Sequence, residues 1–187
     1  DAAGALAYLA GRTMALLPII VAPDKRLKQK SHPVARVDDE IRRLMDAMLE
    51  TMYAAPGIGL AAIQVGVPKN VIVIDLTREG EKRQPLFLVN PEIVWTAEET
   101  QVCEEGCLSF PDQFAEVVRP VAIKVRYLDY QGDMRELDAD DTLAVCIQHE
   151  MDHLRGVLFV DHVSALKRNI ILRRLTKAKR QKVEVPA

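Results

Sequence analysis

One short stretch of this chain, Gln148-His149-Glu150-Met151-Asp152-His153, contains the pattern H-E-x-x-H. Residues four apart share one face of a helix, so the imidazoles of His149 and His153 can reach a single metal ion. Glu150 between them is within reach of a metal-bound water and can serve as its general base. The bland alternative is two core histidines and a glutamate brought together by chance. That alternative fits poorly, because the segment is otherwise apolar and buried charges are costly unless paired or metal-bound.

Two histidines do not complete a site, since a catalytic metal usually keeps about three protein ligands and one open position. Downstream candidates for the third ligand are Asp161, His162 and Glu184. His162 falls short of the H-E-x-x-H-x-x-G-x-x-H spacing. Upstream, Glu104-Glu105-Gly106-Cys107-Leu108-Ser109 is the better candidate: Cys107 offers a thiolate, and Gly106 lets backbone approach closely. An isolated free cysteine would more often be a small core residue. Another segment, Pro56-Gly57-Ile58-Gly59-Leu60-Ala61-Ala62-Ile63-Gln64, lacks the Lys-Ser/Thr ending of a phosphate loop and the last glycine of a dinucleotide fingerprint. Alone it reads as a turn beside small packing residues.

The elements that must position these groups follow from periodicity. In Asp141–Leu154, Leu143, Val145, Cys146, Ile147, Met151 and Leu154 leave little polar surface, which predicts a helix buried on most sides. Gly156 is a natural stop just past its end. Asp38–Tyr53 predicts an amphipathic helix, with Ile41, Leu44, Met45, Met48, Leu49 and Met52 at helical spacing and acidic residues in the first turn. Val71–Leu76, Pro85–Val89, Glu92–Thr96 and Val121–Leu128 are short and β-branched, and Asp129–Gly132 predicts a hairpin turn returning through Met134–Leu137. A last helix over Ser164–Lys182 is expected to pack Leu166, Ile170 and Leu175 on the body. The sum is an α+β domain: short antiparallel sheets around a buried central helix that carries the H-E-x-x-H motif, plus a C-terminal helix.

The chain has 187 residues, 49% of them apolar and 28% charged, the balance of one globular domain. Residues 1–13 are pattern-free and read as an expression remnant or leader, with Met14 a plausible start and 14–187 a single catalytic domain. The net charge of -2 gives no overall pull toward nucleic acid, and no DNA partner is expected. No apolar run approaches a membrane span, and no secretory signal is present, so no membrane role is expected. Three cysteines are too few, and odd in number, for a disulfide framework, which points to a reducing, cytoplasmic setting.

Taken in order, Gly57–Gln64, Glu105–Ser109 and Gln148–His153 resemble the peptide deformylase family, whose pattern is G-x-G-x-A-A-x-Q, then E-G-C-x-S, then Q-H-E-x-D-H. The likeness runs from about Leu16 to the end. The resemblance implies hydrolysis of the formyl group from the N-formylmethionyl end of nascent polypeptides, releasing formate. It implies that Cys107, His149 and His153 bind the metal, with a water in the fourth position. Glu150 would take that water's proton and return it to the leaving amine. The oxyanion would be met by the metal, the side-chain amide of Gln64 and the backbone N–H of Leu108. Backbone at Ile58 and Gly59, with Gly106 opposite, would pair with the substrate as an added strand. Ile58, Cys103, Val145 and Cys146 are candidates for the methionine pocket, and plain core packing is the alternative for each. Glu105 and Arg119 would form an ion pair holding the Cys107 loop, against the alternative of two solvated charges.

One thiolate and two imidazoles suit Zn(II), Fe(II), Co(II) or Ni(II), and the resemblance points to Fe(II) in the cell. Relatives often carry arginine where this chain has Phe114, which touches a downstream substrate contact and not the chemistry. Two rival readings remain at this level. An ordinary zinc peptidase would take its third ligand downstream. A binding module with a structural zinc would close the site with a fourth ligand, for which Cys103 is available. The last helix holds eight basic residues, Lys167, Arg168, Arg173, Arg174, Lys177, Lys179, Arg180 and Lys182, and no acidic one. It is either a solvated face or a contact to ribosomal RNA.

Overall fold

A computed structural model describes residues 15–184; residues 1–13 and Met14 lie outside the described residues. The chain runs α1 (Asp39–Ala54), β1 (Gly59–Ala61), β2 (Val71–Ile74), β3 (Leu86–Thr96), β4 (Thr100–Cys107), β5 (Phe110–Pro120), β6 (Ala122–Leu128), β7 (Met134–Asp140), α2 (Asp141–Leu154) and α3 (Ala165–Glu184). Two antiparallel sheets result, one in the order β1-β2-β3-β6-β7 and the other the hairpin β4-β5.

Strand β2 shows why the layers stack as they do. It reads V-I-V-I and is buried along its whole length, as a strand covered on both faces must be. Val71 and Val73 join the cluster beneath α1, and Ile72 and Ile74 join the cluster beneath α2. Helix α1 is capped by the Asp38 carboxylate, which accepts from the Ile41 N–H at 3.1 Å, and buries Ile41, Met45, Met48 and Met52. Helix α2 touches β1, β2, β6 and β7 on one side and β5 of the hairpin on the other. It is therefore the central helix, and every residue from Cys146 to Leu154 is buried. Gly156 ends it with φ +74, and a side chain there would run into the carbonyl oxygen of Lys28.

Several expectations are corrected. Pro85–Val89 and Glu92–Thr96 form one strand, β3, whose pairing with β6 shifts register between Val89 and Glu92. Pro91 has no N–H for the ladder, so the strand bulges there and continues. The return strand runs on to Asp140. Strands β1, β4 and β5 were not expected. β1 is three residues long, and β4 and β5 carry apolar side chains on both faces, which hides the period. In α3 the buried residues are Ile171 and Leu175, with Leu172 partly buried beside them. Leu166 is 72% exposed and Ile170 41%, because the contact stripe begins one residue later and so turns these two outward.

Candidate active site

Helix α2 and the end of β4 bring the chemistry together. The donor atoms of Cys107, His149 and His153 all lie within 4.8 Å of one another, and they are the one such cluster among the described residues. Cys107 Sγ is 3.3 Å from His153 Nε2. His149 Nδ1 lies 2.8 Å from Glu105 Oε2, which leaves its Nε2 free to turn to a metal. A carboxylate on the far nitrogen fixes the ring and its tautomer, a common partner of metal-bound histidine. The His149 ring also stacks on Phe159, with ring centroids 6.2 Å apart. This donor set fits a transition metal: one thiolate and two imidazoles around a shared point.

The other candidate ligands lie elsewhere. Cys103 is four residues up the same strand, roughly 13 Å away at the usual strand rise. His162 Nε2 lies 2.8 Å from Asp152 Oδ2. Asp161 pairs with Lys28 and accepts from the Leu158 N–H. The Glu184 side chain is outside the described residues.

Glu105 and Arg119 form a buried, forked ion pair, with Nε to Oε1 at 2.7 Å and Nη2 to Oε2 at 3.0 Å. Arg119 then reaches across to α2, donating from Nη1 to Asp152 Oδ2 at 2.6 Å. Arg155 donates to the other oxygen of Asp152. One guanidinium thus ties the cysteine-bearing hairpin to the histidine-bearing helix. Burial pushes the Glu105 carboxyl up, but His149 and Arg119 outweigh it and bring it down to about 2. Burial pulls His149 down as well, and Cys107 and Glu105 more than offset this, so it ends well above the usual range. Burial pushes His153 well below it, helped by the charges of His149 and Arg119.

Asp152, Arg155 and Phe159 were not assigned roles from the sequence, and His162 was weighed there only as a downstream metal ligand, not as the partner of Asp152. Asp152 sits inside the Gln148–His153 motif, so its position was visible even though its use was not. We predict that Arg119→Leu will destabilise the fold by about 3–5 kcal/mol, because Glu105 and Asp152 lose the cation that compensates their burial. Urea unfolding measures this, and a loss below about 1 kcal/mol would refute the tie. Folded Glu105 titrates below its ordinary value, so its contribution is present above about pH 4.5 and lost as pH falls toward 2.

Glu150 is 4% exposed, and burial raises its carboxyl to about 7. Its Oε2 has no hydrogen-bond partner among the described residues. Gly59 is what admits it: a Cβ there would lie 2.5 Å from Glu150 Oε1 and 2.9 Å from Cys146 Sγ. Gln64 Oε1 accepts from the Ala61 N–H at 2.8 Å. That bond turns its amide nitrogen toward Ser109 Oγ at 3.1 Å and Cys107 Sγ at 3.5 Å. These groups face a cavity of about 1180 Å³. Ile58, Gly59, Cys103, Gly106, Leu108, Val145 and Cys146 line it too. Burial keeps the Cys146 thiol pushed up, so it stays protonated.

Residues 16–169 match the polypeptide deformylase family. The chain belongs to that family. A peptide deformylase of Phenylobacterium zucineum is 62% identical over 164 residues, covering 88% of this chain and 97% of the relative. The crystal structure of the Ehrlichia chaffeensis peptide deformylase superposes with a TM-score of 0.86 at 41% identity, covering 90% of this chain and 99% of that one. The same Ehrlichia enzyme in complex with actinonin superposes at 0.85, with 43% identity over 89% of this chain and 99% of the other. The deformylase match covers both pieces that build the site, the β4–β5 hairpin and α2. The α+β architecture is the one these deformylase structures have.

Proposed function

We propose that this chain removes the formyl group from N-formylmethionyl nascent polypeptides by hydrolysis that depends on one divalent metal ion, with Glu150 moving the proton. The observation that carries this reading is the buried Glu150 carboxylate, one oxygen unpartnered, beside the cluster of Cys107, His149 and His153. A structural site has no use for such a base. Cys107, His149 and His153 would hold the ion. When bound, it supplies Lewis-acid chemistry, polarising a carbonyl and lowering the pKa of water to about 7. Fe(II) in the cell is the family-based reading, and Zn(II), Ni(II) or Co(II) suit the same donors.

The chain's own residues do the rest. Glu150 accepts a proton from the attacking water and returns it to the amine as the C–N bond breaks, so formate and a free N-terminus leave. The Gln64 amide, fixed by Ala61, donates to the oxyanion that develops on the formyl oxygen, and the Leu108 N–H is a second donor. Strand β1 is an edge strand, so an extended substrate can add to its free side at Ile58 and Gly59, with Gly106 opposite. The methionine side chain enters beside Cys103, Val145 and Cys146. Formate release from formyl-Met-Ala-Ser by the metal-loaded protein, against the unformylated peptide, tests the reading. Cleavage of the peptide bond without formate would instead select the peptidase.

We further propose that α3 docks on ribosomal RNA, where formylated chains emerge. Arg173, Arg174, Lys177, Lys179 and Arg180 are exposed, while Ile171 and Leu175 hold the helix to the body. Truncating the helix would strip that core, so neutralisation is the cleaner test. Changing these five residues to glutamine should abolish co-sedimentation with ribosomes at low salt and leave turnover of a short formyl-Met peptide near the parent value. Undiminished pelleting would sink the docking idea. No helix among the described residues is long and apolar enough to cross a membrane.

A further inference from the structure

The two histidines of the metal cluster are not held alike. His149 is fixed through its far nitrogen by Glu105, 2.8 Å away. His153 Nδ1 is buried and has no hydrogen-bond partner among the described residues. The geometry of the cluster therefore leans on the His149 tether, and on whatever holds Glu105. Arg119 holds Glu105, and Asp152 accepts from Arg119 at 2.6 Å. The path continues past Asp152. The same Oδ2 that accepts from Arg119 lies 2.8 Å from His162 Nε2. A carboxylate oxygen accepts, so Nε2 carries the hydrogen. Two donors on one oxygen fix the rotation of the carboxylate. Arg155 donates to Oδ1, but its side chain is 59% exposed, against 33% for His162. Exposed pairs hold geometry weakly, so His162 is the better-sheltered of Asp152's two outer partners. It ends the short turn Phe159–His162, whose Phe159 stacks on the His149 ring.

We propose that His162 is a positioning residue for the metal centre, acting on His149 through Asp152, Arg119 and Glu105. This deepens the metal-dependent reading above and rests on it. His162 stands outside the donor cluster and does not line the cavity, so it acts only through the residues between. Without its N–H, Asp152 turns toward Arg155, the Arg119 guanidinium follows, and the fork on Glu105 opens. His149 then loses the hold that aims its Nε2 at the ion. A partner one step outside a metal ligand is worth roughly 10–100-fold in metal affinity. His162 lies further out than Glu105, so the lower end of that range is expected.

The test uses the full chain loaded with Co(II). Loss of the ion to excess EDTA is followed by the thiolate-to-cobalt absorption. His162→Phe keeps a ring and removes the donor, and should lose Co(II) about tenfold faster than the parent. His162→Gln offers an amide N–H in place of the imidazole one and should recover most of that difference. Urea unfolding of the metal-free proteins runs alongside. A histidine that only supports the fold would weaken the metal-free protein and leave Co(II) loss from the folded one at the parent rate, and that result overturns the proposal. Equally fast loss from the phenylalanine and glutamine variants overturns it too, since the donor would then not matter. On an Arg119→Lys background, where the fork is already gone, His162→Phe should add little. An undiminished effect there would overturn the path through Arg119. A parent chain that takes up no Co(II) would instead sink the metal reading, and this inference with it.

Discussion

Replacing Glu150 with glutamine will leave the fold and the bound metal in place and slow deformylation by at least ~10²-fold. Glutamine matches glutamate in volume, so the packing against Gly59 and Cys146 is kept. It also removes a buried carboxyl whose titration burial has pushed up to about 7, so the variant should be no less stable than the parent. What it cannot do is accept a proton from water. The Glu150 Oε2 of the parent has no partner among the described residues, which fits a group kept for a reacting molecule. The measurement is formate release alongside metal content and melting temperature. A variant that turned over near the parent rate would take Glu150 out of the mechanism.

Cys107→Ser should lose most of its metal and most of its activity, while Cys103→Ser should lose little of either. A hydroxyl is a far poorer ligand than a thiolate for a borderline-soft ion, and two imidazoles alone make a weak site. Cys103 lines the cavity but stands outside the donor cluster. Metal analysis after dialysis separates the two variants. Equal loss from both would restore the structural-site rival with Cys103 as its fourth ligand.

Much of this site was legible in the sequence, because its spacing is local. His149 and His153 are one helical turn apart, and the apolar residues around them announce a buried helix. Cys107 was reachable only through the context Glu105-Gly106-Cys107, since nothing local says that the end of β4 lies against α2. The hairpin was missed because Phe114, Val102 and Val118 face outward, so apolar residues fall on both faces and the period of two disappears. The Arg119 tie to Asp152 joins residues 33 apart in sequence. The ion pair of Glu105 and Arg119 was expected, but its extension to the helix was not, because which carboxylates share one guanidinium depends on tertiary packing. The rotation of α3 that exposes Leu166 and Ile170 turns on a single residue of phase, finer than a pattern of scattered apolar positions resolves.

The contact between Gly59 and Glu150 constrains how this sequence can drift. A methyl group at 59 would meet the Glu150 carboxylate and the Cys146 thiol, and on the proposed mechanism it would push that carboxylate away from the attacking water. A side chain at 59 therefore requires the Glu150 carboxylate and the Cys146 thiol to shift or shrink, and either response at 150 moves the carboxylate. On the proposed mechanism each route passes through a less active form, although position 59 never needs to touch a metal. The glycine is held in place by the history open to its neighbours, and a library that varies 59 alone should return glycine almost every time.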